Sequence, residues 1–258
     1  MRWVGSGESG SGVSERRFEL TVGDRPVPGC LWRPADRPTG PSPLVLMAHG
    51  ATLHKRVDHL VALAHLLVRD HGISALSLDA PGHGDRRPDR TADEVELFGN
   101  FLAEWARPGS TDEVVEEWAR ALDTVHGETG AGEGPIGFWG LSMGTIYGVP
   151  FVASEHRVQA AVFGLMGLLG PTRDRLEADS RALACPVLFV QQWDDQLVPR
   201  ADALALFDAV GSMDKRLHAH PGLHAAVPAE ELAFSVEFLA RHLGEGPAED
   251  QGPTARAR

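Results

Sequence analysis

The chain has 258 residues, enough to bury one sizeable core, and its apolar fraction is that of an ordinary globular protein. Its formal net charge of −12 at pH 7 argues against nucleic acid or an anionic membrane surface as a partner, because both require a basic face. No apolar run approaches the ~18 residues that a membrane span requires.

Two cysteines, Cys30 and Cys185, are too few for the disulfide framework of a small secreted protein. We expect both thiols to be reduced and mostly buried. The N-terminus runs MRWVGSGESGSG, without the apolar segment of a signal peptide. The expected location is therefore the cytoplasm.

Composition divides the chain into three regions. Residues 1–12 are rich in Gly and Ser and predict a flexible tail. Residues 244–258 are rich in Pro, Gly and charged residues and predict a disordered C-terminal tail. Between them, residues 13–243 contain neither a repeat nor a linker-like segment, which predicts a single domain.

Within this domain, short apolar runs alternate with longer amphipathic ones. The predicted strands are residues 18–22, 30–32, 44–50, 73–80, 136–142, 158–166, 186–193 and 216–220. The predicted helices are residues 54–70, 111–126, 176–183, 200–210 and 230–242, with a further helix directly after Ser142. The alternation predicts an α/β fold: a mostly parallel sheet of about eight strands, helices on both faces and an antiparallel edge. Functional residues of such sheets lie in loops beyond the carboxyl ends of the strands.

The segment 85–110 has two interpretations. Its middle carries apolar residues at helical spacing, namely Val95, Phe98, Phe101, Leu102 and Trp105. It is either a small lid whose aromatic face covers the site or an extra helix packed on the core. The stretch between Met166 and Pro186 is too short for a full cap, so a small lid is the most that the sequence allows.

Gly140-Leu141-Ser142-Met143-Gly144 matches the pattern G-x-S-x-G at the end of an apolar strand, with a helix-capable segment after it. A nucleophilic serine needs such a strained turn, and glycines at both ends remove side chains where strand and helix come close. The alternative is that Ser142 only caps the helix. We predict that Ser142 is a nucleophile.

A carboxylate and a histidine follow Ser142 at two later strand ends. Asp194 and Asp195 both end a predicted strand and could be turn or helix-capping residues. We prefer Asp195, because Pro199 four residues later turns the chain into the next helix while the carboxylate points across the sheet. His224 lies in the loop after the last strand and is the predicted base.

The order serine, acid, histidine is the chain order of the hydrolase triad. Asp195 would fix the tautomer of His224 and stabilise its imidazolium form. His218 and His220 alternate within a strand, and we expect them to be structural or surface residues.

An oxyanion hole requires two backbone N–H donors near the serine. The predicted donors are Met143, directly after the serine, and Ala51, in the strand–helix loop that starts at His49-Gly50. This loop could also be an ordinary glycine turn. The next residues, His54, Lys55 and Arg56, are expected to form a solvated face. The alternative is that one of these cationic side chains contacts an anionic substrate.

Together these segments resemble the α/β-hydrolase superfamily, most closely its bacterial dienelactone-hydrolase-like and carboxylesterase-like members. The matching pieces are LVLMAHG (44–50), LDAPGHGDR (78–86), GFWGLSMG (137–144), DQLVP (195–199) and PGLH (221–224). The resemblance implies that Asp79, Gly82, His83 and Gly84 form a structural turn; a place for His83 at the pocket rim is the alternative.

The sequence departs from this family pattern in two places. Dienelactone hydrolases proper have a cysteine where this chain has Ser142. Relatives often have a glycine near Gln192, where this chain has Gln191-Gln192-Trp193. Trp193 is therefore expected either at the pocket wall or in the core.

The expected function is that of a serine hydrolase, which cleaves a small carboxylic ester or lactone through an acyl-enzyme on Ser142, without a cofactor or metal. An acyltransferase, a lyase or cyclase of a biosynthetic pathway, and a non-catalytic ligand-binding module remain alternatives. A site without a full cap admits water, which favours hydrolysis and small or exposed substrates. A homodimer is compatible with the sequence.

Overall fold

The computed structural model describes residues 1–9, 12–87 and 93–244. Its strands are β1 (Arg2–Ser9), β2 (Val13–Val22), β3 (Arg25–Pro34), β4 (Ser42–Ala48), β5 (Ser74–Leu78), β6 (Ala131–Gly140), β7 (Val158–Gly164), β8 (Val187–Gln192) and β9 (Lys215–His220). Its helices are α1 (Asp58–His71), α2 (Glu94–Ala106), α3 (Ser110–Thr129), α4 (Met143–Ser154), α5 (Arg173–Ala182), α6 (Arg200–Ala209) and α7 (Glu230–Gly244).

All the described strands join one sheet in the order β1-β2-β3-β5-β4-β6-β7-β8-β9. The first three strands and the β3–β5 pair are antiparallel. From β5 to β9 every neighbouring pair is parallel. The predicted α/β fold with its antiparallel edge is confirmed, and the carboxyl ends of the parallel strands share one edge.

The sheet separates two apolar cores, because successive side chains of a strand point to opposite faces. In β6, Phe138 faces the core under α3 and α4, whereas Trp139 faces the core under α1 and α7. Helix α4 is buried around almost its whole circumference and places its first residue directly behind the end of β6. Among the described residues, no helix combines the length and the apolar character needed to cross a membrane.

The predicted N-terminal tail is wrong for residues 2–9, which form β1. This strand pairs antiparallel with β2 and gives the sheet nine strands instead of about eight. Trp3 packs edge-on against Phe18, and the guanidinium of Arg16 lies 3.5 Å from the centre of its indole ring. The Gly/Ser-rich composition hid the strand, because its order comes from β2 rather than from its own propensity.

The last described element reaches the other predicted boundary of the domain. Helix α7 ends at Gly244, one residue past the expected boundary of 243. The remainder of the predicted C-terminal tail, residues 245–258, lies outside the described residues.

Helix α2 occupies the middle of the proposed lid segment and packs on the core. Its buried side chains are Leu97, Phe101 and Trp105, whereas Val95 and Leu102 of the predicted inner face are exposed. The Trp105 Nε1–H donates a 2.7 Å hydrogen bond to Thr172 Oγ1, which fastens α2 to the segment after β7. Residues 88–92 of the proposed lid lie outside the described residues, and coverage of the site by α2 stays a prediction.

Substitutions at two glycines test how α2 is held against the core. Gly170 has φ +75°, and a Cβ there would lie 2.0 Å from the Trp105 ring. Gly170→Ala should therefore displace α2 and lower the free energy of unfolding by about 2 kcal/mol. Gly99 lies within α2 with open space beside it, so Gly99→Ala should instead raise the free energy of unfolding by about 0.5–1 kcal/mol. Urea denaturation measures both variants, and equal stabilities would contradict this packing.

Candidate active site

Ser142 lies in the tight turn between the end of β6 and the start of α4. Its backbone has φ 58° and ψ −118°, a conformation that costs a residue with a side chain about 1–3 kcal/mol. The surrounding structure holds the turn through hydrogen bonds from Ser142 N to Gly164 O (2.9 Å) and from Gly144 N to Leu141 O (2.9 Å). The Ser142 side chain makes no capping bond to α4, so helix capping does not explain this serine.

The two glycines of the motif have a steric explanation. A Cβ at Gly140 would lie 2.7 Å from Gly144 O, and a Cβ at Gly144 would lie 2.9 Å from Ala48 O. Real Cβ atoms do not approach backbone oxygens so closely, so larger residues would push α4 away from β4 and β6. The pattern G-x-S-x-G therefore reflects the tight stacking of strand and helix around Ser142.

The structure brings Ser142, His224 and Asp195 together. His224 Nε2 lies 3.0 Å from Ser142 Oγ, and His224 Nδ1 lies 2.7 Å from Asp195 Oδ2. The Asp195 side chain is 1% exposed and that of His224 13% exposed. A buried carboxylate favours the proton on Nδ1, which leaves the lone pair of Nε2 to accept the hydroxyl proton of Ser142.

The acid loop distinguishes the two neighbouring aspartates. Asp195 Oδ1 accepts hydrogen bonds from Leu197 N (2.8 Å) and Val198 N (2.9 Å), while Oδ2 faces His224. Asp194 instead turns to the base of the loop, with its Oδ2 3.4 Å from Gly222 N. Asp195 is therefore the carboxylate that contacts His224.

Trp193, next to these aspartates, is 38% exposed, and the Arg200 guanidinium lies 4.3 Å from its ring centre. The core position considered for Trp193 is wrong, because a side chain that exposed is not part of the core. A place at the pocket wall stays a prediction.

Two glutamines hold the loop that carries His224, and sequence reasoning assigned neither of them a role. His224 N donates to Gln196 Oε1 (2.9 Å), and the buried Gln192 donates from Nε2 to Leu223 O (3.1 Å). The one available signal was the departure at Gln192, a long amide where relatives often have a glycine.

A cluster of two histidines and one carboxylate connects the two ends of the loop that carries His224. Glu231, the second residue of α7, is buried and lies 3.0 Å from His218 Nδ1 and 2.7 Å from His220 Nε2. Since His220 ends β9 and Glu231 begins α7, the contact joins the two ends of the loop. His218 and His220 thus have the structural position expected from their alternation.

The predicted oxyanion donors lie on neighbouring strand ends. Ala48 of β4 pairs with Gly140 of β6, and Ala51 and Met143 each follow three residues later. Within the part of the chain that the structure describes, neither of their N–H groups donates to another protein atom. Their joint role as oxyanion donors stays a prediction.

His49 stabilises the start of the Ala51 loop. Its Nε2 accepts a hydrogen bond from Ala80 N (3.0 Å), so the proton is on Nδ1 and is donated to Gly50 O (2.8 Å). Burial, reinforced by the neighbouring His83, lowers the pKa of His49 to about 3. The imidazole is therefore neutral at physiological pH and keeps this pair of hydrogen bonds.

The expected solvated face at His54, Lys55 and Arg56 is wrong for Lys55. Lys55 is buried, and its Nζ lies 2.5 Å from Asp79 Oδ2 and 2.6 Å from Asp85 Oδ2. The sequence signal was misleading because the two carboxylates that neutralise Lys55 lie more than twenty positions away. Arg56 points elsewhere and pairs with Glu15 (2.8 Å).

The segment 79–85 is a structural turn, as the resemblance implied. A Cβ at Gly84, which has φ +52°, would lie 2.2 Å from Asp79 Oδ1, so only glycine fits there. His83 is buried against His49, with their ring centres 5.2 Å apart, and burial lowers the pKa of His83. The buried His83 therefore belongs to the turn itself, as the resemblance implied, and not to the pocket rim that was the alternative.

Comparisons with known proteins agree with this geometry. Scans against family models and against curated proteins found no match. A solved structure of a cold-adapted esterase from an Arctic intertidal metagenomic library, bound to PEG, is 42% identical with a TM-score of 0.83, over 94% of this chain and 100% of that chain.

Two more distant structures share the fold. One is the acetyl xylan esterase of Paenibacillus sp. R4, which is 17% identical with a TM-score of 0.71, over 94% of this chain and 88% of that chain. The other is the dienelactone hydrolase of Anabaena variabilis, which is 19% identical with a TM-score of 0.64, over 90% of this chain and 97% of that chain. The resemblance seen in the sequence motifs is confirmed, and the chain belongs to the esterases of the α/β-hydrolase superfamily.

Proposed function

We propose that the protein is a serine esterase that hydrolyses carboxylic esters or lactones of small substrates through an acyl-enzyme on Ser142. The observation that carries the proposal is the continuous hydrogen-bonded chain from Ser142 Oγ through His224 to Asp195 at a strained strand–helix turn. The relative that is 42% identical over its whole length is described as an esterase. No comparable observation favours a lyase, a cyclase or a binding module.

The geometry supports acyl transfer to the serine as the first half of the reaction. Ser142 Oγ attacks the carbonyl carbon of the ester while its proton passes to His224 Nε2. The carbonyl oxygen gains negative charge and accepts hydrogen bonds from the N–H groups of Ala51 and Met143. Asp195 stabilises the imidazolium of His224, which then protonates the departing alkoxide.

The second half reverses these roles with water. His224 takes a proton from a water molecule, which attacks the carbonyl carbon of the acyl-enzyme. The same two N–H groups stabilise the second tetrahedral intermediate. Its collapse releases the acid, and His224 returns its proton to Ser142 Oγ, which restores the hydroxyl. The partial positive charge at the N-terminus of α4 lies directly after Ser142 and favours both oxyanions.

The shape and polarity around the triad support a small, uncharged substrate. The exposed apolar residues Leu197 and Leu223 lie on the loops that carry Asp195 and His224. Within the described residues, only the short segment 165–172 separates β7 from α5, so no large cap covers the site from there. An open site suits small or exposed esters and lactones and lets water reach the acyl-enzyme.

The thiols support a cytoplasmic location, which we also propose. Cys30 and Cys185 are both free, and Cys30 is buried. Burial raises the pKa of the Cys185 thiol to about 11 and also raises the pKa of the Cys30 thiol well above its usual value, so neither is readily ionised. Unpaired thiols suit a reducing compartment.

The first test removes the nucleophile. Ser142→Ala should abolish hydrolysis of a chromogenic ester such as p-nitrophenyl acetate, with kcat reduced at least about 10⁴-fold. A fluorophosphonate should label the wild type at Ser142 and leave the variant unlabelled. Ser154→Ala, at the other end of α4, is the matched control and should keep wild-type activity. Turnover by a folded Ser142→Ala variant would refute the mechanism.

The second test separates the two aspartates. In Asp195→Asn, the side-chain oxygen can still accept from Leu197 N and Val198 N, while the amide N–H₂ faces His224 and favours the wrong tautomer. We expect kcat to fall on the order of 10³- to 10⁴-fold. Asp194→Asn is the matched control and should cost much less. A larger loss from Asp194→Asn would mean that the acid has been assigned to the wrong residue.

The third test distinguishes hydrolysis from acyl transfer, which would use the same acyl-enzyme. Product analysis with a chromogenic ester should give predominantly free acid, both without an acceptor and with a millimolar alcohol or amine. The physical reason is that the open site gives water access to the acyl-enzyme. Efficient transfer to the millimolar acceptor would identify an acyltransferase instead.

A further inference from the structure

The loop that carries the proposed donor Ala51 has little internal support. We define the oxyanion loop as residues 49–57, between the end of β4 and the start of α1. Its internal backbone bonds run from Leu53 N to Gly50 O (3.3 Å) and from Val57 N to His54 O (3.1 Å). Thr52 has φ +66°, an unfavourable value for a β-branched residue. Such a loop needs outside contacts to keep one conformation.

Those contacts come from the structural turn after β5, defined as residues 79–85. Near one end of the oxyanion loop, His49 Nε2 accepts from Ala80 N. Near the other end, Lys55 is held twice by the buried Asp79: its N–H donates to Oδ1 (2.8 Å) and its Nζ to Oδ2 (2.5 Å). Ala51 lies between these two attachments.

Asp79 is itself fixed in place. Its Oδ2 accepts from Asp85 N (2.9 Å), and Gly84 packs against its carboxyl group. Asp85 adds a second carboxylate to Lys55 Nζ at 2.6 Å. Lys55 is therefore held in one position by two carboxylates at its Nζ and by the hydrogen bond of its backbone N–H.

We propose that Lys55, paired with Asp79, is a positioning residue that holds the Ala51 N–H in the oxyanion hole. The inference rests on the proposed esterase function and extends it to a residue that touches no substrate. A buried ion pair adds little net stability, because the desolvation of both charges offsets their attraction. What it does supply is a single geometry for the loop, which an oxyanion donor requires.

The experiment compares Lys55→Met, Lys55→Arg and the double variant Lys55→Met/Asp79→Asn with the wild type. Lys55→Met keeps a side chain of similar length and removes the positive charge. The double variant also removes the negative charge of the buried Asp79, which Lys55→Met leaves without its cation. Arg33→Met is the matched control. Arg33 is a buried cation that donates to Thr129 O (2.7 Å) and Gly40 O (2.6 Å). These two residues precede β6 and β4, at the end of the parallel strands opposite to the triad.

Two readouts separate positioning from stability. One is the split between kcat and KM for p-nitrophenyl acetate at a temperature where circular dichroism shows each variant folded. The other is the affinity for an aliphatic trifluoromethyl ketone, which forms a tetrahedral oxyanion adduct with the serine. If Lys55 positions Ala51, kcat and the affinity for the ketone fall together on the order of 10²-fold in Lys55→Met, while KM changes little.

The variants decide the outcome jointly. Lys55→Arg keeps the charge and should recover part of both losses, whereas the double variant should recover stability without recovering kcat. Arg33→Met should lose stability and keep its kcat. Unchanged kcat and ketone affinity in Lys55→Met, or an equal loss of kcat in Arg33→Met, would overturn the proposal. If Lys55→Met does not fold, the double variant decides: wild-type kcat and ketone affinity in a folded Lys55→Met/Asp79→Asn variant overturn the proposal, and a parallel loss of both supports it.

Failure of this proposal is distinguishable from failure of the esterase assignment. If the wild type neither hydrolyses esters nor reacts with a fluorophosphonate at Ser142, the proposed function itself fails. If it does both and Lys55→Met retains full kcat and ketone affinity, only the positioning role is refuted.

Discussion

The hydrogen bond between His224 Nε2 and Ser142 Oγ joins residues 82 positions apart and depends on the order of the parallel strands. Strand β7 lies between β6, which leads to Ser142, and β8, which leads to Asp195. Its last residue, Gly164, accepts from Ser142 N, and a Cβ there would lie 2.0 Å from Val190 O. The nucleophile turn and the acid strand are therefore set at a fixed distance through one glycine.

Thr145 strengthens the same junction. Its hydroxyl lies 2.9 Å from Gly140 O and 2.7 Å from Gly164 O, and it accepts from Gly164 N. One buried side chain thus links the last residue of β6, the first turn of α4 and the end of β7. This dense bonding offsets the strain of the positive φ at Ser142, which persists only when its surroundings fix it.

The sequence predicts the parts of the site whose cause is local. The glycines around Ser142 indicate that two backbone segments come close together. The spacing from Asp195 to Pro199 indicates a turn, in which the N–H groups of Leu197 and Val198 donate to the Asp195 carboxylate. The supporting polar residues could not be predicted in this way. Lys55 and Gln192 are single polar letters whose roles depend on Asp79 and on the His224 loop, and no local pattern connects them.

The same distinction explains where the fold prediction failed. The buried strands carry their own apolar signal, so the sheet and its faces follow from the pattern of residues. Strand β1 lies at the edge, where it is ordered by pairing with β2 and by Trp3 between Phe18 and Arg16. An edge strand in which half of the residues are Gly or Ser is ordered mainly by these tertiary contacts.

The two halves of the site are held by different kinds of interaction, and their chemistry gives a reason. In the proposed mechanism His224 gains and loses a proton in every cycle, and the two side chains that bind the backbone of residues 223 and 224, Gln192 and Gln196, are neutral amides. They hold the backbone at His224 without adding a charge beside it. The Ala51 N–H keeps a constant charge throughout the reaction. The proposed ionic attachment through Lys55 and Asp79 can therefore fix its loop without placing a charge beside a group that exchanges a proton in the reaction.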